Sequence, residues 1–313
     1  MDATRLAPAG AAQPGTVNQA PHLPQGFTDT FTSYLVEAGS VCLHAVAGGG
    51  GPPLLLVAGW PQNWYAWRRV MHELARDFTV IAVDPRGVGA SERAKTGFDT
   101  ATLAEDLVGV MAAFGHERFA MIGHDVGMWT GYALAADHPG RLAALVVAEA
   151  AIPGITPVAA GLGPAKANDK QWHFGFNRLA GLNEALVRGR EDVFFGWQFA
   201  NKAAAPDAIP PYAVRYYVDS IARDPEALRC SFEFYRAIEQ TMEQNARRKE
   251  RRLTIPVLAV GGADGLGTGV EATMRQVAGD VTPAVLEHCG HYPAEEVPAA
   301  LLAAVIPFLA PYA

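Results

Sequence analysis

Cysteine is scarce in this chain. The three present in 313 residues, Cys42, Cys230 and Cys289, are too few and too scattered for a disulfide framework, so reduced thiols and a cytoplasmic location are expected. No apolar run approaches the roughly 18 residues that a membrane helix needs, so no membrane partner is expected. An excess of positive charge is also missing. The formal charge is −7, which argues against a nucleic-acid surface, and the densest basic run, Arg247 to Arg252, reads as the solvated end of a helix. There is no internal repeat. His288 and His291 have no second Cys/His pair of complementary spacing, so neither a metal nor another cofactor is called for. The first 24 residues, rich in Ala, Pro and Gly, lack the continuous apolar segment of a secretory signal and read as a flexible tail.

What the chain does have is apolar residues, 50% of the total, enough to bury a substantial core. Phe31 to Glu37 and Val41 to Ala47 read as a hairpin around Ala38-Gly39-Ser40. Then come strand Leu54 to Val57, a helix-like Trp64 to Arg76, strand Thr79 to Val83, helix Ala101 to Phe114, strand Phe119 to Ile122, a helix from Met128 to Ala136, and strand Leu142 to Ala148. Strands alternating with helices predict a mostly parallel sheet flanked by helices, an α/β architecture with its chemistry at the carboxyl ends of the strands. From Pro153 to Arg252 the alternation stops and the sequence turns aromatic and helical. Strands resume at Pro256 to Val260 and Ala284 to Leu286, before a final helix. The expected organisation is a core of residues 25–152 and 253–313 with a helical cap, 153–252, inserted over the strand ends.

The stretch Phe119 to Trp129 organises the rest. An apolar run, then Gly123, Asp125 and Gly127, then a helix reads as strand, sharp turn, helix, which is the physics of a nucleophile elbow. The side chain it presents is a carboxylate. Attack by Asp125 on an ester would give an anhydride, so it is better suited to displacement at saturated carbon, giving an alkyl ester that water must clear. A strained epoxide and a carbon–halogen bond both fit. The plain structural role for Asp125 would be to cap the following helix, a role that does not require glycine on both sides.

Clearing the ester needs a base, and His291 is the strongest of nine histidines because its loop, His288 to Pro293, follows the last strand and opens onto the same sheet edge. His124, beside Asp125, points the other way and reads as structural. Two carboxylates compete to orient the base. Glu149 follows the strand before the cap and Asp264 the strand after it, and the residues alone leave that choice open. The backbone N–H groups of Trp60 and Val126 are the natural oxyanion donors. Opening an epoxide also needs a proton donor. The cap helix beginning at Asp224-Pro225 carries Leu228, Phe232, Tyr235, Ile238 and Met242 at helical spacing, which buries Tyr235. A core tyrosine bonded to backbone would show the same pattern. His173, between Trp172 and Phe174, shares that ambiguity, and Tyr212, Tyr216 and Tyr217 are weaker candidates.

Taken in order, Trp64-Tyr65-Ala66-Trp67, Gly123-His124-Asp125-Val126-Gly127, Trp172-His173-Phe174, Ser231 to Ala237 and Cys289-Gly290-His291 resemble the α/β-hydrolase superfamily. The resemblance is to its epoxide hydrolases and most closely to the bacterial Cif-type group, and it runs from about Gln25 onward. It implies the α/β-hydrolase fold and a small-molecule epoxide opened by water to a vicinal diol. It implies Asp125 as nucleophile, His291 as base, Glu149 as acid, and His173 with Tyr235 as the ring-opening pair. Members can be dimeric, which makes a homodimer an expectation here. Three departures stand out. Ala58-Gly59 replaces the usual His-Gly at the oxyanion turn. Asp264 is an extra acid at a place where the group need not have one. Cys289 matches a cysteine bridged in secreted relatives, but Val297 stands where its partner would be. The rival readings are a haloalkane or haloacid dehalogenase with the same nucleophile, and a non-catalytic ligand-binding protein on the same scaffold. Haloalkane dehalogenases favour tryptophan after the nucleophile and fluoroacetate dehalogenases favour nearby arginines, whereas this chain has Val126 and Trp129.

Overall fold

The central strands are apolar on both faces, which suits a sheet sandwiched between helices rather than one facing water. The computed structural model describes residues 6–157 and 164–313. Its nine strands are β1 (Leu6–Pro8), β2 (Phe31–Ala38), β3 (Val41–Gly49), β4 (Pro53–Val57), β5 (Thr79–Asp84), β6 (Phe119–His124), β7 (Leu142–Ala148), β8 (Val257–Gly262) and β9 (Val281–Leu286). They form one sheet in the order β1-β2-β3-β5-β4-β6-β7-β8-β9. The first three strands and the β3–β5 pair are antiparallel, and everything from β5 to β9 is parallel. All residues of β6 and β8 are buried, so the core lies along the middle of the sheet.

The core helices are α1 (Phe27–Thr30), α2 (Met71–Leu74), α3 (Thr100–Ala113) and α4 (Val126–Asp137). Among the described residues, six helices lie between β7 and β8: α5 (Ala165–Asn177), α6 (Leu182–Val187), α7 (Glu191–Lys202), α8 (Pro211–Ala222), α9 (Pro225–Arg236) and α10 (Ile238–Arg248). After β8 come α11 (Gly269–Met274), α12 (Pro293–Glu296) and α13 (Pro298–Leu309). Helix α3 packs on β2 and α4, and α4 packs on β6 and β7. Local chemistry sets several of these ends. Asp99 caps α3 by accepting from Thr102 N–H, and Asp224 caps α9 by accepting from Glu226 N–H, with Pro225 in the first turn.

Three expectations need correction. Residues 6–24 are not a loose tail: Leu6–Pro8 pair with β2, and Val17 is buried. Their Ala/Pro/Gly composition gives an irregular backbone with free carbonyls, and buried aromatic donors use them. The Gly15 carbonyl accepts from the Trp64 indole at 2.7 Å and the Pro21 carbonyl accepts from the Tyr65 hydroxyl. The stretch Trp64 to Arg76 is not one helix but a 3₁₀ turn, Trp64–Trp67, followed by α2. Four successive buried side chains cannot share one face of a regular α-helix, and the tighter turn accommodates them. The cap helix with Tyr235 ends at Arg236, and a new one starts at Ile238, so the expected stripe breaks and Met242 is 44% exposed.

Candidate active site

Asp125 sits between β6 and α4 at φ 52°, ψ −116°, a backbone state that a side-chain-bearing residue adopts only under constraint. The constraint is visible in its glycines. A Cβ on Gly123 would come within 2.3 Å of the Gly127 carbonyl, one on Gly127 within 2.2 Å of the Val57 carbonyl, and one on Gly59 within 2.1 Å of Asp125 Cβ. The turn thus closes so tightly that the carboxylate is pushed out over the sheet edge. Its Oδ1 accepts from Trp60 N–H at 2.9 Å and from Val126 N–H at 2.7 Å. Ala58, in place of the expected histidine, leaves the Trp60 bond intact.

The second carboxylate oxygen meets His291. His291 Nε2 lies 3.3 Å from Asp125 Oδ2, and His291 Nδ1 lies 3.6 Å from Glu149 Oε2; both are charge contacts outside good hydrogen-bond geometry. His291 is held by its backbone. Its N–H donates to the Lys202 carbonyl at 3.0 Å, and its carbonyl accepts from His124 Nε2 at 2.6 Å. Glu296 gathers the same loop by accepting from Gly290 and Tyr292 N–H. Gly290 is required there, since a Cβ would come within 2.5 Å of the Lys202 carbonyl. His124 is therefore a buried donor supporting the base's loop, and burial pulls its pKa down to about 3.

Glu149 follows β7 and also has a φ of 52°. Its Oε1 accepts from Gly262 N–H at 2.7 Å and from Leu266 N–H at 3.0 Å, which compensates a carboxylate with almost no solvent contact. Asp264 is exposed and makes no side-chain contact with His291 among the described residues. His288 likewise points outward. Burial alone would favour neutral forms of Asp125 and His291, but the partners outweigh it. The imidazole beside Asp125 holds its carboxyl well below the usual carboxylate range, and the Asp125 and Glu149 carboxylates raise the His291 pKa.

Across from Asp125 stands an aromatic wall. The His173 ring stacks on Trp60 at 5.5 Å with an interplanar angle of 7°, and Tyr235 meets Trp60 edge-on at 5.3 Å and His173 at 5.5 Å. Burial pushes the Tyr235 phenol well above its ordinary pKa, with the Asp125 charge adding to the shift. The Trp129 indole is occupied by the Ala151 carbonyl at 2.8 Å. A cavity of about 30 Å³, room for a water, is lined by Trp60, Val126, Ser231 and Phe234.

One member of this wall was missed in the sequence. Lys202, at the end of α7, is only 5% exposed; its Nζ lies 3.1 Å from His173 Nε2 and 5.1 Å from the centre of the Trp60 ring. The signal was there: Phe195, Gln198, Phe199 and Lys202 are spaced as one buried helical stripe. No cluster of three or more potential metal ligands occurs among the described residues. Cys42, Cys230 and Cys289 are free thiols. No described helix is long and apolar enough to cross a membrane.

The fold has relatives among known proteins. The family model for the alpha/beta hydrolase fold matches residues 52–298. A soluble epoxide hydrolase from Corynebacterium sp. (strain C12) is 32% identical over 279 residues, covering 86% of this chain and 94% of the relative. A fluoroacetate dehalogenase from Burkholderia sp. is 33% identical over 244 residues, covering 75% of this chain and 79% of the relative. Among solved structures, Cfl2 from Burkholderia cenocepacia superimposes with a TM-score of 0.86 at 35% identity, covering 92% of this chain and 97% of that one. With the elbow, the parallel sheet and the inserted helices on the same plan, this chain belongs to the α/β-hydrolase fold family.

Proposed function

We propose that this protein is an epoxide hydrolase that converts a small-molecule epoxide to a vicinal diol through a covalent ester on Asp125. The observation that carries the reading is the division of labour within one carboxylate. Oδ1 is already held by the Trp60 and Val126 N–H groups, which leaves Oδ2, beside His291, as the attacking atom. Once Oδ2 bonds to substrate carbon, Oδ1 is the ester carbonyl oxygen, sitting where charge develops when water adds. His291, its Nδ1 facing Glu149, takes the proton from that water. Collapse of the tetrahedral adduct expels the diol and restores the carboxylate. Asp125 has its lowered pKa to keep it ionised as a nucleophile across the working range.

His173, Lys202 and Tyr235 form the wall that would receive the opened oxygen. Val126 and Trp129, where fluoroacetate dehalogenases favour arginines, count against a haloacid substrate, while the Trp60 indole N–H, which has no partner among the described residues, keeps a halide donor available to the dehalogenase alternative. Three free thiols suit the reducing cytoplasm, and a homodimer, expected from the resemblance, is testable by light scattering.

The test is a single turnover of styrene oxide in heavy-oxygen water. One label should appear in Asp125 and diol should form; Asp125→Asn should abolish turnover, and His291→Ala should accumulate about one equivalent of ester. Halide released from a haloalkane with no diol from the epoxide would favour the dehalogenase, and neither product would favour a binding protein.

A further inference from the structure

Lys202 is a buried ammonium with no carboxylate within 4.0 Å among the described residues. A charge in that position is costly, and nothing in the two-step scheme of Asp125 and His291 uses it. Its one side-chain hydrogen bond fixes the state of its neighbour. An ammonium can only donate, so His173 Nε2, 3.1 Å away, must accept. The proton of a neutral His173 then sits on Nδ1, which is buried and has no hydrogen-bond partner among the described residues. Burial and the Lys202 charge hold His173 well below its ordinary pKa, so the ring is neutral at working pH. A neutral imidazole can hydrogen-bond an alkoxide, but giving up its proton would leave an imidazolate. Two groups on this wall have a proton to give, the Tyr235 phenol and the Lys202 ammonium, and burial makes the phenol a weaker acid than usual and the ammonium a stronger one.

Resting on the epoxide-hydrolase reading, we propose that Lys202 is the catalytic acid of ring opening, its ammonium held by His173 Nε2 and its proton delivered to the oxygen that leaves the attacked carbon. Asp125 Oδ2 forms the bond to carbon, and the epoxide C–O bond breaks with its electron pair going to oxygen. That oxygen takes a proton from Lys202 Nζ, leaving a neutral amine, while the Tyr235 hydroxyl hydrogen-bonds to the same oxygen. In the second step water adds to the ester carbon and loses a proton to His291. Diol leaves, and the imidazolium proton returns to Lys202 through solvent. Epoxide and water are consumed, diol is formed, and no charge is left over.

The placement favours this role. Lys202 Nζ lies 3.1 Å from His173 Nε2, and the Lys202 backbone carbonyl accepts from His291 N–H at 3.0 Å, which sets the lysine against the loop that carries His291. The ammonium faces the same Trp60 ring against which His173 and Tyr235 pack. The titratable groups around it are Lys170 and His173 on α5, His124 and Asp125 at the elbow, and His291 on the loop after β9. Burial pulls the lysine down to about 8, with the Asp125 charge opposing, so it is protonated at neutral pH yet a far stronger acid than a solvated lysine.

The experiment measures Asp125 alkylation and ester hydrolysis separately, by rapid quench and intact mass, from pH 6 to 10. It uses the full chain with an uncharged epoxide, styrene oxide, and a carboxylate-bearing one, glycidate. In the wild-type protein alkylation should fall above about pH 8. Lys202→Met should slow alkylation of both epoxides by roughly 10²–10⁴-fold, remove that alkaline limb and leave ester hydrolysis within about threefold. Lys202→Arg keeps the charge but does not release a proton, so it should remain slow with both. Several outcomes overturn the assignment. Alkylation of styrene oxide by Lys202→Met at the wild-type rate would do so. A loss confined to glycidate and rescued by arginine would instead make Lys202 a carboxylate anchor. Equal loss in both phases would mean a structural role. If wild-type protein forms no ester and no diol with either epoxide, the epoxide-hydrolase reading fails first and takes this one with it.

Discussion

Replacing Lys202 by methionine should make the protein more stable at neutral pH, although it removes a hydrogen bond. The lysine's pKa falls from 10.5 to about 8 on folding, which at about 1.4 kcal/mol per pKa unit is a folding cost of about 3.5 kcal/mol. Methionine fills similar volume without charge but forfeits the bond to His173, worth about 1 kcal/mol, so the net gain is about 2.5 kcal/mol. The sign follows from proton counts. Between pH 8 and 10.5 the unfolded chain holds the lysine proton more tightly than the folded one, so this group makes wild-type stability rise with pH across that window. The cost is therefore complete below pH 8 and relieved by about pH 10.5, and the advantage of the variant should shrink over the same range. Urea unfolding of both proteins at pH 7 and pH 10, with matched m-values, measures it. A variant less stable than wild type at pH 7, or an advantage equal at both pH values, would refute the picture of a charged lysine held in a desolvated site.

Two further outcomes follow from the elbow and its neighbours. Glu149→Gln removes the charge facing His291 Nδ1, so the raised imidazole pKa should drop, the acid limb of ester hydrolysis should move to lower pH, and that phase should slow by roughly 10²–10⁴-fold. Alkylation should be nearly untouched, and exposed Asp264→Asn should change neither phase in the same rapid-quench assay. Gly59→Ala puts a methyl 2.1 Å from Asp125 Cβ, so the turn must shift at a cost of about 1–3 kcal/mol in urea unfolding, and alkylation should be lost as Trp60 N–H leaves Oδ1.

Much of this site was legible in the order of residues because a nucleophile elbow imposes glycines at fixed offsets and the base must follow a strand ending at the same edge. The choice between Glu149 and Asp264 was not. Both follow neighbouring parallel strands, β7 and β8, so chain position treats them alike. What separates them is backbone direction: Glu149 turns inward at φ 52° onto the N–H groups of Gly262 and Leu266, while Asp264 faces solvent. Lys202 was hidden by the reasonable expectation that a lysine at a helix end is solvated. Its burial depends on α5 and α7 packing together, a non-local fact that spacing along α7 only hints at. The broken stripe after Tyr235 and the ordered segment before Phe27 failed for the same reason, since tertiary partners outside the local window decided both.

The segment before the first helix bears on catalysis from a distance. Gly15 and Pro21 lend their carbonyls to Trp64 and Tyr65, a few residues beyond the turn that offers Trp60 N–H to Asp125, and Tyr216 of α8 reaches the same Gly15 carbonyl at 3.4 Å. One irregular strap thereby stitches the oxyanion turn to the roof above it. A version of the protein trimmed to Gly26 would keep every side chain of the candidate site yet strand an indole and a phenol in the interior, and the slackening would be felt first where Trp60 N–H grips Asp125.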